Sequence, residues 1–287
     1  MQLQTIIDIP KPAFQISHKD RLMFVGSCFA NNIGQKFTTS GFQTLVNPFG
    51  TIYNPASIAT LLLRCISERE CTEIFPDDQG VWHSWLHHSR FSAPSSKELQ
   101  QRIAQATHEA TVFLANASVL CVTLGTAYIY RLESNGMLVS NCHKQPDQLF
   151  RRERMTPYDI VDQWQILLQL LQALNPELRI IITVSPIRHK RDGLHANQIS
   201  KGILLQAADE ICTANTDLCT YFPSYEIMLD ELRDYRFYAD DMIHPSELAV
   251  EYIWQRLQQT YMNTRTIDKC LKQQKQWRGS QHRTIIE

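Results

Sequence analysis

Two widely separated stretches carry residues whose types and spacing could do chemistry. In RFYADDMIHPSELAVEYIW, Asp241 and His244 form Asp-x-x-His just ahead of a helix-like run; far upstream, Ser27 stands where the apolar run LMFVG gives way to SCFANNIGQKF. A carboxylate three residues before an imidazole can turn back onto Nδ1, fix the tautomer and leave Nε2 facing outward as a general base. A serine at a strand-to-helix joint lies beside the helix's first N–H groups, whose positive dipole end favours charge developing at its oxygen. Gly26 and Ala30 are small enough to let backbone and substrate come close. Each element alone has an ordinary explanation, since Ser is a favoured N-cap residue and Asp-x-x-His recurs on protein surfaces. Their combination, a serine after the first strand and Asp-x-x-His before the last helix, is much rarer and points to nucleophilic acyl chemistry.

The elements that must position these residues alternate along the chain. Residues 22–26 read as a strand, followed by a helix carrying Phe29, Ile33 and Phe37 at four-residue spacing. Strands are expected over 42–48, 118–125, 178–186 and 218–224, with helices over 57–69, 97–117, 156–176, 197–215 and 245–262. Residues 81–91, VWHSWLHHSRF, alternate in strand fashion, and 127–144 read as a β-hairpin turning at Ser134-Asn135-Gly136. Near-continuous apolar strands separated by helices predict an α/β fold whose parallel sheet is covered on both faces. Ligands of such sheets gather at the carboxyl ends of the strands, which is where Ser27, Gly125 and Ser185 should lie. Residues 1–264 are expected to form one domain, and the basic 265–287 a solvated C-terminal helix or tail with no catalytic role.

Composition narrows the partners. The chain has 287 residues, 44% hydrophobic, and a formal net charge of −1 with both signs mixed along its length. A packed core is affordable, and no electrostatic reason exists to expect nucleic acid or an anionic membrane; small molecules or glycans fit better. The eight cysteines (28, 65, 71, 121, 142, 212, 219, 270) include no Cys-x-x-Cys and read as reduced thiols. The start lacks a basic n-region with an apolar h-region, and no apolar run nears the ~20 residues of a membrane span, so a cytoplasmic location is expected. Nothing in the sequence sets the oligomeric state.

Gly26-Ser27-Cys28-Phe29-Ala30 spells the signature of the GSCFA family, and NPFGTIYNP, HHSRF, LGTAYIY, NCHK, SPIRH and YRFYADDMIHPS extend the resemblance over about residues 20–260. That family resembles the SGNH or GDSL-like hydrolases, which implies a flavodoxin-like three-layer αβα fold with a β-hairpin excursion, and an esterase that needs no cofactor. The resemblance makes Ser27 the nucleophile, His244 its base and Asp241 the residue that orients the base. It also makes Gly50 an oxyanion donor beside the Ser27 N–H. One departure stands out: where the wider superfamily carries Gly-x-Asn-Asp, this chain has Gly125-Thr126-Ala127-Tyr128, so Ala127 replaces the Asn whose side chain completes the oxyanion hole. Thr126, Asn47 or a group from NCHK is expected to substitute.

Other residues are weaker candidates. His88 of HHSRF, His143 of NCHK, Asn47, and Arg188 and His189 beyond a strand end are expected substrate contacts, with His189 also a fallback base. His83, His87 and His88 resemble a metal cluster, but strand geometry puts His88 on the opposite face and no acidic or thiol ligand is interleaved, so no metal is expected. Cys28 is expected to turn toward the core as a buried thiol rather than serve as nucleophile. The expected activity is hydrolysis of an acyl ester, of a small acyl group on a carbohydrate or other polar metabolite, through an acyl-enzyme. O-acyl transfer with the same triad, or a non-catalytic glycan- or metabolite-binding role, are the alternatives.

Overall fold

The computed structural model describes residues 4–67 and 69–283. The chain opens its regular structure with β1 (Arg21–Gly26), α1 (Cys28–Thr39), β2 (Gln43–Val46) and α2 (Pro55–Ser67). A small excursion, β3 (Ile74–Pro76) and β4 (Trp82–Ser84), precedes α3 (Ser96–Ala115) and β5 (Val119–Leu124). A second excursion follows, β6 (Tyr128–Leu132), β7 (Leu138–Val139) and β8 (Phe150–Arg154). The main pattern then resumes with α4 (Pro157–Leu174), β9 (Arg179–Val184), α5 (Gly193–Ala214) and β10 (Cys219–Tyr221). The short α6 (Ser224–Glu226), α7 (Glu247–Tyr261) and α8 (Thr264–Arg283) close the chain.

The central sheet is five-stranded in the order β10-β9-β5-β1-β2, and every pair in it is parallel. Side-chain alternation explains why both faces must be covered. Met23 and Val25 of β1 enter one core with Leu120, Val122, Leu124, Ile180, Ile182 and Val184, packed under α2, α3, α4 and α5. Leu22 and Phe24, with Val119, Cys121 and Ile181, enter the other core under α1, α7 and α8. Burying each such side chain is worth about 1.5–3 kcal/mol, and only a strand apolar at every position gains it on both sides. The result is the expected three-layer αβα architecture. The strand order reverses between β1 and β5, so the crevice of this doubly wound sheet opens beside Ser27.

Two expectations are corrected. Residues 81–91 are not one strand: β4 ends at Ser84, and Ser89–Phe91 form a 3₁₀ turn. Ser84 ends the strand because its Oγ accepts from Leu86 N (3.3 Å) and contacts His87 Nδ1 (2.8 Å), giving the chain a local alternative to sheet pairing. The hairpin at 127–144 gains a third strand, β8, antiparallel to β6. The basic C-terminal segment forms α8, mostly exposed but tied to the domain where Cys270 is fully buried and Gln274 Nε2 donates to Ser40 Oγ at 2.9 Å. No helix among the described residues is long and apolar enough to cross a membrane.

Candidate active site

Ser27 is set by its neighbours on both sides. Gly26 adopts φ +133°, and a Cβ there would lie 2.2 Å from the carbonyl oxygen of Thr123, so only glycine lets β1 bend this close to β5. Ser27 N–H then donates to that same Thr123 O at 3.2 Å. Its side chain caps α1, accepting from Phe29 N at 3.3 Å, and its hydroxyl donates to Ser185 Oγ at 3.0 Å. Ser185, one residue past β9, accepts in turn from Ile187 N at 3.3 Å. Ser27 and Ser185 are both fully buried. Capping and a poised hydroxyl therefore coexist at one residue.

Asp241 and His244 meet across a tight turn. His244 Nδ1 lies 2.6 Å from Asp241 Oδ2, while Asp241 Oδ1 accepts from the backbone N–H groups of Ile243 (2.8 Å) and His244 (2.9 Å). Met242 takes φ +56°, a left-handed conformation costly for such a side chain, and Ala239 N–H closes the turn on His244 O at 2.8 Å. The hydrogen bonds from the His244 backbone and ring, then from Ile243 N–H, hold the Asp241 carboxyl far below the usual carboxylate range. A carboxylate on Nδ1 fixes the tautomer with Nε2 as the acceptor. The turn is seated on the loop after β9, through Arg188 N–H to Ile243 O (3.1 Å) and Lys190 Nζ to Asp241 O (3.3 Å). Ser27 and the Asp-His pair thus share the carboxyl rim of the sheet, but among the described residues no hydrogen bond joins Ser27 to His244. Ser27 is sealed in, whereas the His244 side chain is 43% exposed.

The nominated oxyanion donors are all engaged: Ser27 N–H with Thr123 O, Gly50 N–H with Asn47 O (2.8 Å) and Thr126 N–H with Tyr53 O (3.0 Å). Cys28 N–H, at the first helical position, has no acceptor within the helix. Gly50 has a packing reason as well, since its φ is +83° and a Cβ would stand 2.1 Å from His88 Cβ. Ala127 is fully buried, with its N–H donating to Ser200 Oγ at 2.8 Å.

Asn47 lies beneath the rim, accepting from Gly26 N (2.8 Å) and donating to Asn31 Oδ1 (2.7 Å). His88 is exposed, with Nδ1 accepting from Arg90 N. His143 is turned away into the excursion sheets, Nε2 donating to Ser84 O at 2.7 Å, and burial lowers its pKa to about 4. Arg188 stacks its guanidinium 3.8 Å above the Tyr238 ring. His189 packs edge-on against Tyr53, whose hydroxyl lies 3.6 Å from Cys28 Sγ. Cys28 is therefore half-buried rather than fully buried: it packs against the core under α1 and also meets Tyr53 at the rim. The histidine run does not share one strand face: His83 pairs with Asp77 (3.0 Å) and His87 is buried on Ser84, and no group of His, Cys, Asp and Glu suited to a metal occurs among the described residues.

Sequence reasoning placed Ser185 at the rim without giving it a role, and missed Tyr53 and the buried face Asn197, Ser200, Lys201 of α5. The only signal for that face was a polar triplet at helical spacing inside an otherwise apolar pattern.

The match of the GSCFA family model to residues 21–257 makes this chain a member of the GSCFA family. No curated protein matches it in sequence. Among solved structures, a candidate acylhydrolase from Bacteroides fragilis NCTC 9343 is similar at 12% identity and a TM-score of 0.44, over 88% of this chain and 89% of that one. An acetyl xylan esterase from the rumen bacterium Butyrivibrio proteoclasticus is similar at 11% identity and a TM-score of 0.39, over 88% of this chain and 64% of that one. Membership rests on the family match and not on these distant likenesses.

Proposed function

We infer that the protein is a serine hydrolase that cleaves an acyl ester, with Ser27 as nucleophile, His244 as general base and Asp241 as the residue that holds it. The observation that carries this reading is the Asp241–His244 bond of 2.6 Å, which leaves Nε2 as a proton acceptor at the same sheet rim as Ser27. In the reaction, the Ser27 hydroxyl leaves Ser185 and meets His244. Ser27 Oγ attacks the ester carbonyl as its proton passes to Nε2, and that proton leaves with the alcohol. Water, deprotonated by His244, then attacks the acyl-enzyme, releasing the acid and restoring Ser27. The N-terminal N–H groups of α1 face the oxygen that becomes negative, with Gly50 and Thr126 as further donors once their turns open. Tyr53 and His189, in edge contact, together with His88 and Arg188 would offer polar groups that suit a small acyl group carried on a carbohydrate or other polar metabolite. O-acyl transfer would use the same steps with a sugar hydroxyl in place of water.

The test is labelling with a serine-directed fluorophosphonate, read by peptide mass spectrometry. The wild-type chain is expected to gain the adduct on the peptide containing Ser27, Cys28→Ala to keep it and Ser27→Ala to lose it. An unlabelled wild type would overturn the reading.

A further inference from the structure

One helix face carries an inference that deepens the hydrolase reading and rests on it. Asn197, Ser200 and Lys201 stand at i, i+3 and i+4 on α5, on one side of the helix, and all are buried. Each grips backbone at the carboxyl rim. Asn197 Oδ1 accepts from His189 N at 2.9 Å, and Ser200 Oγ accepts from Ala127 N at 2.8 Å. Lys201 Nζ donates to Gly125 O and to Ser185 O, both at 2.7 Å. These carbonyls end β5 and β9, and Ser185 is the residue whose Oγ receives the Ser27 hydroxyl.

Lys201 is 1% exposed and makes no ion pair with a carboxylate among the described residues. Taking an ammonium out of water without a counter-charge is costly, and a neutral amide could tie two carbonyls at lower cost. The charge therefore needs a reason beyond linking strands. The chemistry beside it offers one: a negative oxygen forms at Ser27, and Ala127 leaves the amide donor of the wider superfamily missing.

We propose that Lys201 is a positioning residue for Ser27. Its ammonium clamps the Gly125 and Ser185 carbonyls, fixes the ends of β5 and β9 against which Ser27 is set, and supplies positive charge near the oxyanion where Ala127 supplies none. Desolvation lowers the Lys201 pKa to about 7, so the clamp loses its charge in the neutral-to-alkaline range. Around it, the ends of β5 and β9 present carbonyls and α5 presents Asn197 and Ser200. From α6 comes Tyr225, its ring centroid 5.6 Å from Nζ and its own pKa pushed up to about 12, with Glu226 beside it held by Tyr221 Oη at 2.9 Å.

The experiment measures the rate of fluorophosphonate labelling of Ser27 in the intact chain from about pH 5.5 to about pH 9, alongside thermal melting. Lys201→Met is expected to label roughly tenfold or more slowly per folded molecule and to lack the alkaline decline of wild type. Lys201→Arg, which stays charged, is expected to move that decline to higher pH. Should Lys201→Met not fold, the Lys201→Arg profile decides: a shifted decline supports the proposal and an unshifted one overturns it. A folded Lys201→Met with the wild-type rate and profile would reduce Lys201 to a simple tie, with the hydrolase reading intact. No labelling of wild type would overturn both.

Discussion

The Asp241 carboxylate does two jobs with two oxygens. Oδ1 holds the turn through the Ile243 and His244 N–H groups, and Oδ2 holds the imidazole. Asp241→Asn keeps an acceptor for the turn but removes the charge that supports an imidazolium. Ser27 labelling is therefore expected to fall by roughly 10²–10⁴-fold, and the melting temperature at neutral pH to fall modestly as the charge is lost. Because these bonds depress the Asp241 pKa, its contribution to stability is complete above the unfolded carboxylate range and is lost only as pH falls through the lower folded value. A ¹³C carboxyl titration should find it still ionised below about pH 4, where an ordinary aspartate is half protonated. The Asp-x-x-His turn could be read from spacing because its partners are local. The contacts of Ser185 and Lys201 could not, because their partners are backbone carbonyls and a hydroxyl brought together only by the folded sheet.

Among elements, the β1-to-α1 joint is the most constrained. Gly26→Ala would add a Cβ 2.2 Å from Thr123 O at a φ of +133°, and the combined clash and strain should cost about 3 kcal/mol or more. Thermal or denaturant unfolding checks this; a variant as stable as wild type would mean that the joint can relax. The central strands β1, β5 and β9 were legible because each is apolar at nearly every position, a pattern only a doubly covered strand needs. Of the excursion elements, one was misread and one carried no signal. VWHSWLHHSRF alternates as a strand should, yet Ser84 turns the chain by bonding its own neighbours. FRRER has a single apolar residue and so no strand alternation, yet it forms β8, where Glu153 pairs with Arg131 (3.1 Å) and Arg151 (2.6 Å) while Arg152 stacks 3.9 Å over Tyr128.

For the whole molecule, the buried charge on α5 links stability to pH. The Lys201 pKa is lowered to about 7, against about 10.4 for an unfolded lysine, so between these values the unfolded chain binds more protons. Its contribution to stability therefore grows as pH rises through that window and is lost as pH falls through the folded value. Comparing unfolding free energies of wild type and Lys201→Met across it should show a rising difference in favour of wild type; parallel curves would contradict the shift. Stability and Ser27 reactivity would then respond to the same proton in opposite senses.

A hydroxyl with no exposed surface and a partner of its own is a latent one. Any reagent must wait for the rim to open before it can react, so probe consumption should not climb indefinitely with probe concentration. It should level off at a ceiling set by the opening rate, the same for chemically different probes. Stopped-flow or quench measurements with two fluorophosphonates of unequal intrinsic reactivity would reveal that common plateau, and two different plateaus would mean that the burial of Ser27 is no gate at all.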